Sequence, residues 1–426
     1  VKKAEKFDVA VVGAGITGLA AACLASRNGL RTCVIDSAVD PEHHNGWKPE
    51  LPNPRVSALN NASVNLMDHL GVWQTMLERD ACAYQTMTVR DSASPAKISF
   101  DVSDSGTIVA DFSASPSLGY IVENGLVIAV MLDRLRQNYN VALLFEHTVD
   151  SLVQTADALE LGFAGEHRGI SAELVIAADG AHSALRTLSG INCQSDSFDQ
   201  IALVAEVSCE LPHQHTAWQC FTPDGPIALL PRRNNICSLV WSADHSLAIQ
   251  LQALSPEDFS GHLNLAFEDQ PGTLSITDQV KGFPLYNRHA ASYIAPHLAL
   301  IGDAAHTVHP LAGLGANIGL LDAASLMQVV QSAHSSGKSI GGHSVLRRYE
   351  RWRKGENRAV LELMNLFKQG FGTRDPLLTR LRQSAFSVAD SLPALKSGII
   401  AYATGLVGDL PDACRPAQAA RVHGPG

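Results

Sequence analysis

Four residues near the start of the chain, Gly13, Gly15, Gly18 and Asp36, have the types and spacing to hold two linked phosphates and a ribose. The segment Val11-Val12-Gly13-Ala14-Gly15-Ile16-Thr17-Gly18 follows a β-prone run, Phe7 to Val12, and opens an Ala- and Leu-rich stretch, Ile16 to Asn28. A second β-prone run, Arg31 to Ile35, ends at Asp36. In such a strand-turn-helix, Gly13 permits the tight turn, Gly15 lets a pyrophosphate approach the backbone, and Gly18 lets helix and strand pack closely. The phosphates sit on the helix N-terminus and the acid accepts hydrogen bonds from a ribose. An acid at Asp36 argues against a 2′-phosphate, which leaves NAD or FAD.

A second motif chooses between them. In Leu298 to Asp322, LALIGDAAHTVHPLAGLGANIGLLD, a buried strand ends at Gly302, Asp303 stands at its tip where it can bond a polyol chain, and a Gly-rich loop leads into a helix near Ala316. The backbone N–H groups of Gly315, Ala316 and Asn317, with Gly313 before them, then face a partly anionic ring edge. NAD has no need of this arrangement. A flavin does, because its reduced ring carries negative charge near N1 and C2=O, so the expected cofactor is FAD.

The third motif, Val175-Ile176-Ala177-Ala178-Asp179-Gly180-Ala181-His182-Ser183-Ala184-Leu185-Arg186, completes a set. With it the chain resembles the FAD-dependent aromatic hydroxylases, single-component monooxygenases related to para-hydroxybenzoate hydroxylase. Their signatures G-x-G-x-x-G, D-G and G-D occur here in the family's order. Pro54-Arg55-Val56-Ser57-Ala58-Leu59-Asn60, Leu70-Gly71-Val72-Trp73, Ile121-Val122-Glu123-Asn124, GDAAHTVHPLAG and Arg347-Arg348-Tyr349-Glu350-Arg351 are similar to the ubiquinone-biosynthesis hydroxylases, with the 2-polyprenylphenol hydroxylase branch nearest in appearance. The resemblance runs from about Phe7 to Arg415. One departure stands out: the family's flavin loop reads A-G-Q-G, and this chain has Ala312-Gly313-Leu314-Gly315, so the contact made through the usual Gln side chain is lost.

The resemblance implies that Arg55 belongs to the cofactor site and that Asp179 and Gly180 serve both FAD and a transiently bound NAD(P)H. It implies reduction of FAD by the nicotinamide, addition of O2 at C4a, and attack of the terminal oxygen of the hydroperoxide on a polyprenylated phenol in ubiquinone biosynthesis. Such chemistry needs a dry pocket, expected between the flavin loop and a strand-rich insert, while the cofactor carries the reactive atoms. No catalytic acid, base or metal is assigned. Two other readings share the same cofactor motifs: a flavin oxidase or dehydrogenase that does not hydroxylate, and a low-activity FAD-binding scaffold of a biosynthetic complex. Other ubiquinone-biosynthesis proteins and peripheral contact with the inner membrane are the expected further partners, and the expected location is the cytoplasm.

Around these motifs, the 426 residues with 46% hydrophobic and 17% charged composition suit a globular enzyme of two or three domains. A net charge of −10, from 32 basic and 42 acidic residues, opposes any hold on nucleic-acid phosphates. The eight cysteines have no regular spacing and read as reduced thiols. Helices are expected near Ser57 to Leu70, Leu126 to Asn138, Pro256 to Phe267, Ser344 to Phe371 and Leu377 to Leu392. Strands are expected at 84–90, 96–112, 201–209, 216–221, 226–231, 236–242 and His297 to Ile301.

Because the cofactor motifs flank the strand-rich middle, the expected fold is α/β. A Rossmann-like FAD-binding domain is assembled from residues 1–83, 113–185 and 284–340, an inserted mixed-sheet substrate domain from 84–112 and 186–283, and a helical C-terminal region from 341–426. His306 with His309 lacks a third metal ligand. His213 and His215 read as surface residues, and Ser183, His182 and Asp179 lack a nucleophile elbow. Arg347 to Lys354 reads as a solvated charge run, with a phosphate or anionic-lipid contact as the alternative, and the apolar Gly398 to Gly408 as core or helix packing, with a lipid-facing surface as the alternative.

Overall fold

The computed structural model describes residues 4–41, 55–92, 97–105, 116–167, 169–267, 271–308, 313–371 and 392–416. The first element pair follows from the glycine motif: β1 (Glu5–Val12) leads into α1 (Ile16–Arg27), and β2 (Thr32–Ile35) returns parallel to β1, pairing Val12 with Ile35. The parallel core is extended by β8 (Val141–Leu144) beside β2, by β11 (Ile170–Ala177) beside β1, and by β19 (Leu298–Leu300) beside β11. The hairpin β9 (Val149–Gln154) and β10 (Leu159–Phe163) is antiparallel to β11, and β18 (Ile294–Ala295) closes the other edge. All three cofactor motifs therefore leave the C-terminal ends of neighbouring parallel strands, where open α/β sheets place their ligands.

α1 is buried continuously from Gly18 to Ser26, because it lies between this sheet, α4 (Asn124–Arg136) and α8 (Leu314–Ser335). A helix apolar on all sides is the sequence pattern such a position demands. A small antiparallel sheet of β3 (Val56–Leu59), β7 (Gly119–Glu123) and β4 (Cys82–Tyr84) sits beside α2 (Asn61–His69) and α3 (Trp73–Arg79). Ser57 to Leu59, expected to be helical, belong to β3. The helix begins only after Asn60, whose side chain accepts from the Ser63 N–H at 3.0 Å as an N-cap.

The large sheet runs β20 (His306–Thr307), β17 (Lys281–Ala290), β12 (Cys193–Cys209), β15 (Ile236–Asp244), β14 (Gly225–Pro231), β13 (Thr216–Thr222), β5 (Thr86–Asp91), β6 (Lys97–Asp101), with β16 (Leu274–Ile276) also on β12. It is antiparallel except where β13 meets β5, which makes it mixed as expected. β6 ends at Asp101 and a 3-10 turn follows at Val102–Ser105; the rest of the expected strand 96–112 lies outside the described residues. Helices α6 (His245–Gln252) and α7 (Pro256–Phe267) cover this sheet around Trp241, Phe259 and Leu263. α5 (Ala184–Leu188), α9 (His343–Phe371) and α10 (Pro393–Ala403) complete the helices used below. The expected helix Leu377 to Leu392 lies outside the described residues up to position 391.

Candidate functional site

The turn after β1 has the backbone its glycines imply. Gly13 adopts φ +110°, and a Cβ there would stand 2.2 Å from the Ala178 carbonyl oxygen, so this position excludes every side chain. A Cβ at Gly18 would stand 2.0 Å from the Gly13 oxygen. Gly15 differs: it is the N-cap of α1, no side chain caps the helix, and nothing lies within 4 Å of where its Cβ would be. That combination of uncapped N–H groups and open space is a cradle for an anion. Asp36 faces the same turn, its Oδ2 accepting from the Ala14 N–H at 2.6 Å and its Oδ1 from the Ala38 N–H at 2.8 Å, and a carboxylate keeps further lone pairs for ribose hydroxyls.

At the end of β19, Gly302 and Asp303 begin a 3-10 turn packed on the Thr17 side chain of α1, so the first and last motifs meet. Asp303 is solvent-exposed yet crowded by protein, as a residue on the floor of a cleft is. The crowding raises its pKa, opposed by His306, Arg55 and Arg288. Arg55 lies over the Phe283 ring of β17 at 5.2 Å, which brings the large sheet to the same place. Arg288, buried and stacked 4.4 Å over Tyr286, joins it.

α8 starts on Gly313 with φ +60° and again has no side-chain cap, leaving the N–H groups of Gly315 and Ala316 presented at its first turn. Asn317 differs from its neighbours in having an anchoring side chain. Its Oδ1 accepts from the Asn60 N–H at 3.0 Å and the Ser63 hydroxyl at 2.7 Å, and its Nδ2 donates to the Ala58 and Gly313 carbonyls at 2.8 and 3.0 Å. This clamp holds the loop and α8 onto β3 and α2. Leu314 opens α8 with its backbone, while its side chain, like His309, lies outside the described residues.

The Asp179-Gly180 segment follows β11. Asp179 Oδ2 accepts from the Leu185 N–H at 3.1 Å at the start of α5, Gly180 turns with φ +81°, and Asp179 Oδ1 is buried with no partner among the described residues. A buried carboxylate oxygen left open is a place for a ligand hydroxyl or N–H.

Sequence reasoning missed a buried ionic network beneath the loop. Asp322 Oδ2 accepts from the Gly302 N–H at 3.1 Å and meets His306 Nε2 at 2.5 Å; its Oδ1 accepts from Arg353 Nε at 2.9 Å and Asn357 Nδ2 at 3.0 Å. Burial alone would raise the Asp322 carboxyl, but His306, Arg353 and these hydrogen bonds hold it down at about 2. The run Arg347 to Lys354 is thus not simply a solvated face. Tyr349 donates to the Leu300 carbonyl at 2.7 Å, and Glu350 accepts from the Tyr293 N–H at 3.0 Å. Helical spacing puts Tyr349, Arg353 and Asn357 on one buried stripe, the signal that could have found them. His213 is also buried, with Nε2 2.7 Å from the Arg232 carbonyl oxygen, whereas His215 is exposed.

The residues fit an FAD: a glycine cradle at α1 with a carboxylate beside it, a second uncapped helix start at α8, and the exposed Asp303 and open Asp179 Oδ1 between them. Among the described residues, no three His, Cys, Asp or Glu side chains are grouped to hold a metal ion.

Comparison with known proteins points the same way. The FAD binding domain family matches residues 6–363. The Escherichia coli (strain K12) 3-demethoxyubiquinol 3-hydroxylase is 34% identical over 403 residues, covering 94% of this chain and 99% of that protein. The human mitochondrial ubiquinone biosynthesis monooxygenase COQ6 is 30% identical over 444 residues, with 93% and 92% covered. In fold, the chain is similar to the crystal structure of p-nitrophenol 4-monooxygenase PnpA from Pseudomonas putida DLL-E4, with TM-score 0.76 and 20% identity over 95% of this chain and 99% of that one. It is likewise similar to P. aeruginosa PqsL in complex with 2-aminobenzoylacetate, with TM-score 0.73 and 20% identity over 87% and 98%.

Proposed function

This chain belongs to the FAD binding domain family, among the flavin-dependent monooxygenases of the ubiquinone-biosynthesis hydroxylase type, and on that premise we propose that it inserts one oxygen atom from O2 into the ring of a polyprenylated phenol, with NAD(P)H as electron donor. The observation that carries the proposal is the meeting of three strand ends at one cleft, closed on one side by the large sheet through Arg55 and Phe283. The E. coli relative's name gives the substrate class its nearest parallel, a demethoxyubiquinol.

In this reading Gly13, Gly15 and Gly18 hold the pyrophosphate, and Asp36 the adenosine ribose. Asp303 with Gly302 bonds the ribityl chain, and Gly313, Gly315, Ala316 and the backbone of Asn317 face the ring edge. Arg55, Asp179 and Gly180 line the cleft toward the nicotinamide. The chemistry that FAD supplies when bound is hydride acceptance and activation of oxygen. The remaining work is positional and electrostatic. Uncapped N–H groups at α8 favour negative charge on the ring edge, and Asp322 fixes the Gly302 backbone from below. β17 pairs with β20, which carries His306 and Thr307 just after Asp303, so the large sheet stands beside the site from which water must be excluded. The expected division into a cofactor domain from three segments and a substrate domain from two is part of the same proposal.

Among the described residues no helix is long and apolar enough to cross a membrane, so we place the substrate's tail at an apolar opening against a membrane or a carrier protein. Quinone profiling of a strain lacking the gene tests the reading. Accumulation of a polyprenylated phenol short of one hydroxyl, restored by the gene, is the expected result; an unchanged quinone profile would overturn it.

A further inference from the structure

The large sheet has two unlike faces. Leu203 with Trp241, and Leu229 with Trp218, sit opposite one another on one of them, buried under α6 and α7 with Phe259 and Leu263. The alternate residues point the other way. One row of them crosses neighbouring strands as Val204, Val240, Ala228, Gln219 and Val89. This second face is incompletely covered: along β14 Pro226, Ala228 and Leu230 are only half-buried, as is Val240 on β15.

The half-open face looks onto the cofactor cleft. The end of the small sheet where Val56 pairs with Glu123 reaches it twice. Arg55 lies 5.2 Å over Phe283, which stands opposite Ala202, and Glu123 meets Arg232, which also holds Glu206. Val204 lies midway between Ala202 and Glu206 on β12, so the row begins under that end of the small sheet. The flavin loop is clamped to the same small sheet, through the bonds of Asn317 to the Ala58 and Gly313 carbonyls. The row's other end is closed by α9, where Met364 packs with Val89, Ile98 and Phe221. At about 4.8 Å between strands, Val204 and Gln219 stand about 14 Å apart, enough for a substituted aromatic ring on an apolar floor.

Gln219 is the polar group of this row. Its side chain is 6% exposed and makes no hydrogen bond among the described residues. A buried amide with its N–H donors and its carbonyl all unpaired is a place for a ligand's polar group. The buried cation that borders the slot, Arg232, is already held by Asp80, Glu123 and Glu206. A carboxylate entering beside it would be desolvated without a counter-charge, whereas a neutral hydroxyl both donates and accepts and so fits the amide.

We propose that Gln219 recognises the substrate: its side-chain amide hydrogen-bonds the ring hydroxyl of a neutral phenol whose ring lies over Ala228 and Val240, and the same slot rejects a ring that carries a carboxylate. The inference rests on the reading of the chain as a phenol hydroxylase and deepens it, by naming the residue that selects the phenol and the charge the ring must have.

The test is titration of the FAD-bound chain, without NAD(P)H, with 2-prenylphenol, prenylbenzene and 3-prenyl-4-hydroxybenzoate, read by the change each makes in the visible absorbance of the flavin. The parent should bind the phenol roughly 30-fold more tightly than prenylbenzene, because the ligand without a hydroxyl leaves the buried amide unpaired. It should bind the benzoate at least about tenfold more weakly than the phenol. In Gln219→Leu and Gln219→Met the preference for phenol over prenylbenzene should shrink to about threefold or less, with FAD retention and prenylbenzene binding kept. The ligand comparison on the parent needs no variant, so misfolding of either one leaves the proposal open to refutation. Equal binding of phenol and prenylbenzene by the parent, a full preference retained in the variants, or tighter binding of the benzoate would overturn it. The titration reads binding without turnover, so its failure leaves the proposed oxygen insertion standing, and a failure to insert oxygen leaves the Gln219 contact standing.

Discussion

Asp322 reaches from the third turn of α8 to the backbone N–H of Gly302, 3.1 Å away, and so couples the helix behind the flavin loop to the strand end that carries Asp303. The same carboxylate holds Arg353. Replacing Asp322 with Asn takes the buried carboxylate from the Arg353 guanidinium and leaves it the more exposed Glu356, a change that costs up to about 3–5 kcal/mol. Urea unfolding of Asp322→Asn against the parent checks it; a difference under about 1 kcal/mol would mean that Glu356 balances Arg353 by itself.

The same contact sets a pH dependence. The Asp322 carboxyl is held at about 2 in the folded chain, below the roughly 3.9 of an unfolded one. Its contribution to stability is therefore fully present above the unfolded value and is lost as pH falls through about 2. Acid unfolding of the parent should be steeper between these values than that of Asp322→Asn, and parallel curves would remove Asp322 as a source.

Gly13 and Gly15 separate folding from cofactor retention. Gly13→Ala forces a Cβ to within 2.2 Å of the Ala178 oxygen at φ +110°, so the fold itself should lose at least about 1–3 kcal/mol. Gly15→Val meets open space in the protein and should leave the apoprotein's thermal midpoint nearly unchanged while FAD is lost on gel filtration. Retention of yellow colour by Gly15→Val would take the pyrophosphate away from this turn.

Asp303→Ala should weaken FAD retention by about 1.5–3 kcal/mol, as for a lost hydrogen bond to a charged group. Fluorescence titration of the apoprotein with FAD reads the change directly. An unaltered affinity would assign the ribityl contact elsewhere.

Motifs that act through their backbone were legible in the sequence, since a glycine spacing after a β-prone run already specifies a turn and a helix start. Residues that act by distant pairing were not. Glu123, read only as part of the family-like Ile121 to Asn124 stretch, pairs at 3.4 Å with Arg232, which also holds Asp80 and Glu206 at 2.9 Å each. Through Glu123 that stretch pins the small sheet to the large one. The partners lie more than a hundred residues apart in Arg232's contacts with Glu123 and Asp80, and no local pattern announces them. The sequence pattern extends the helix back over Ser57 to Leu59 because a short apolar run carries no period of its own; the pairing of Val56 to Leu59 with β7 makes them a strand.

Arg232 supplies a further check, because Arg232→Met leaves three acids facing one another across two sheets. The expected loss is about 3–5 kcal/mol at neutral pH, shrinking as the acids protonate. Denaturant midpoints at neutral pH and near pH 4 give both values, and a loss that does not depend on pH would assign it to packing alone.

The central claim is that oxygen from O2 enters the substrate ring. The purified FAD-bound chain, given NAD(P)H, a short-tailed polyprenylphenol and 18O2, should yield a product heavier by one labelled oxygen atom, with none from labelled water. Oxidation of NAD(P)H with all the label recovered in hydrogen peroxide or water and none in the product would contradict the claim and leave a flavin oxidase.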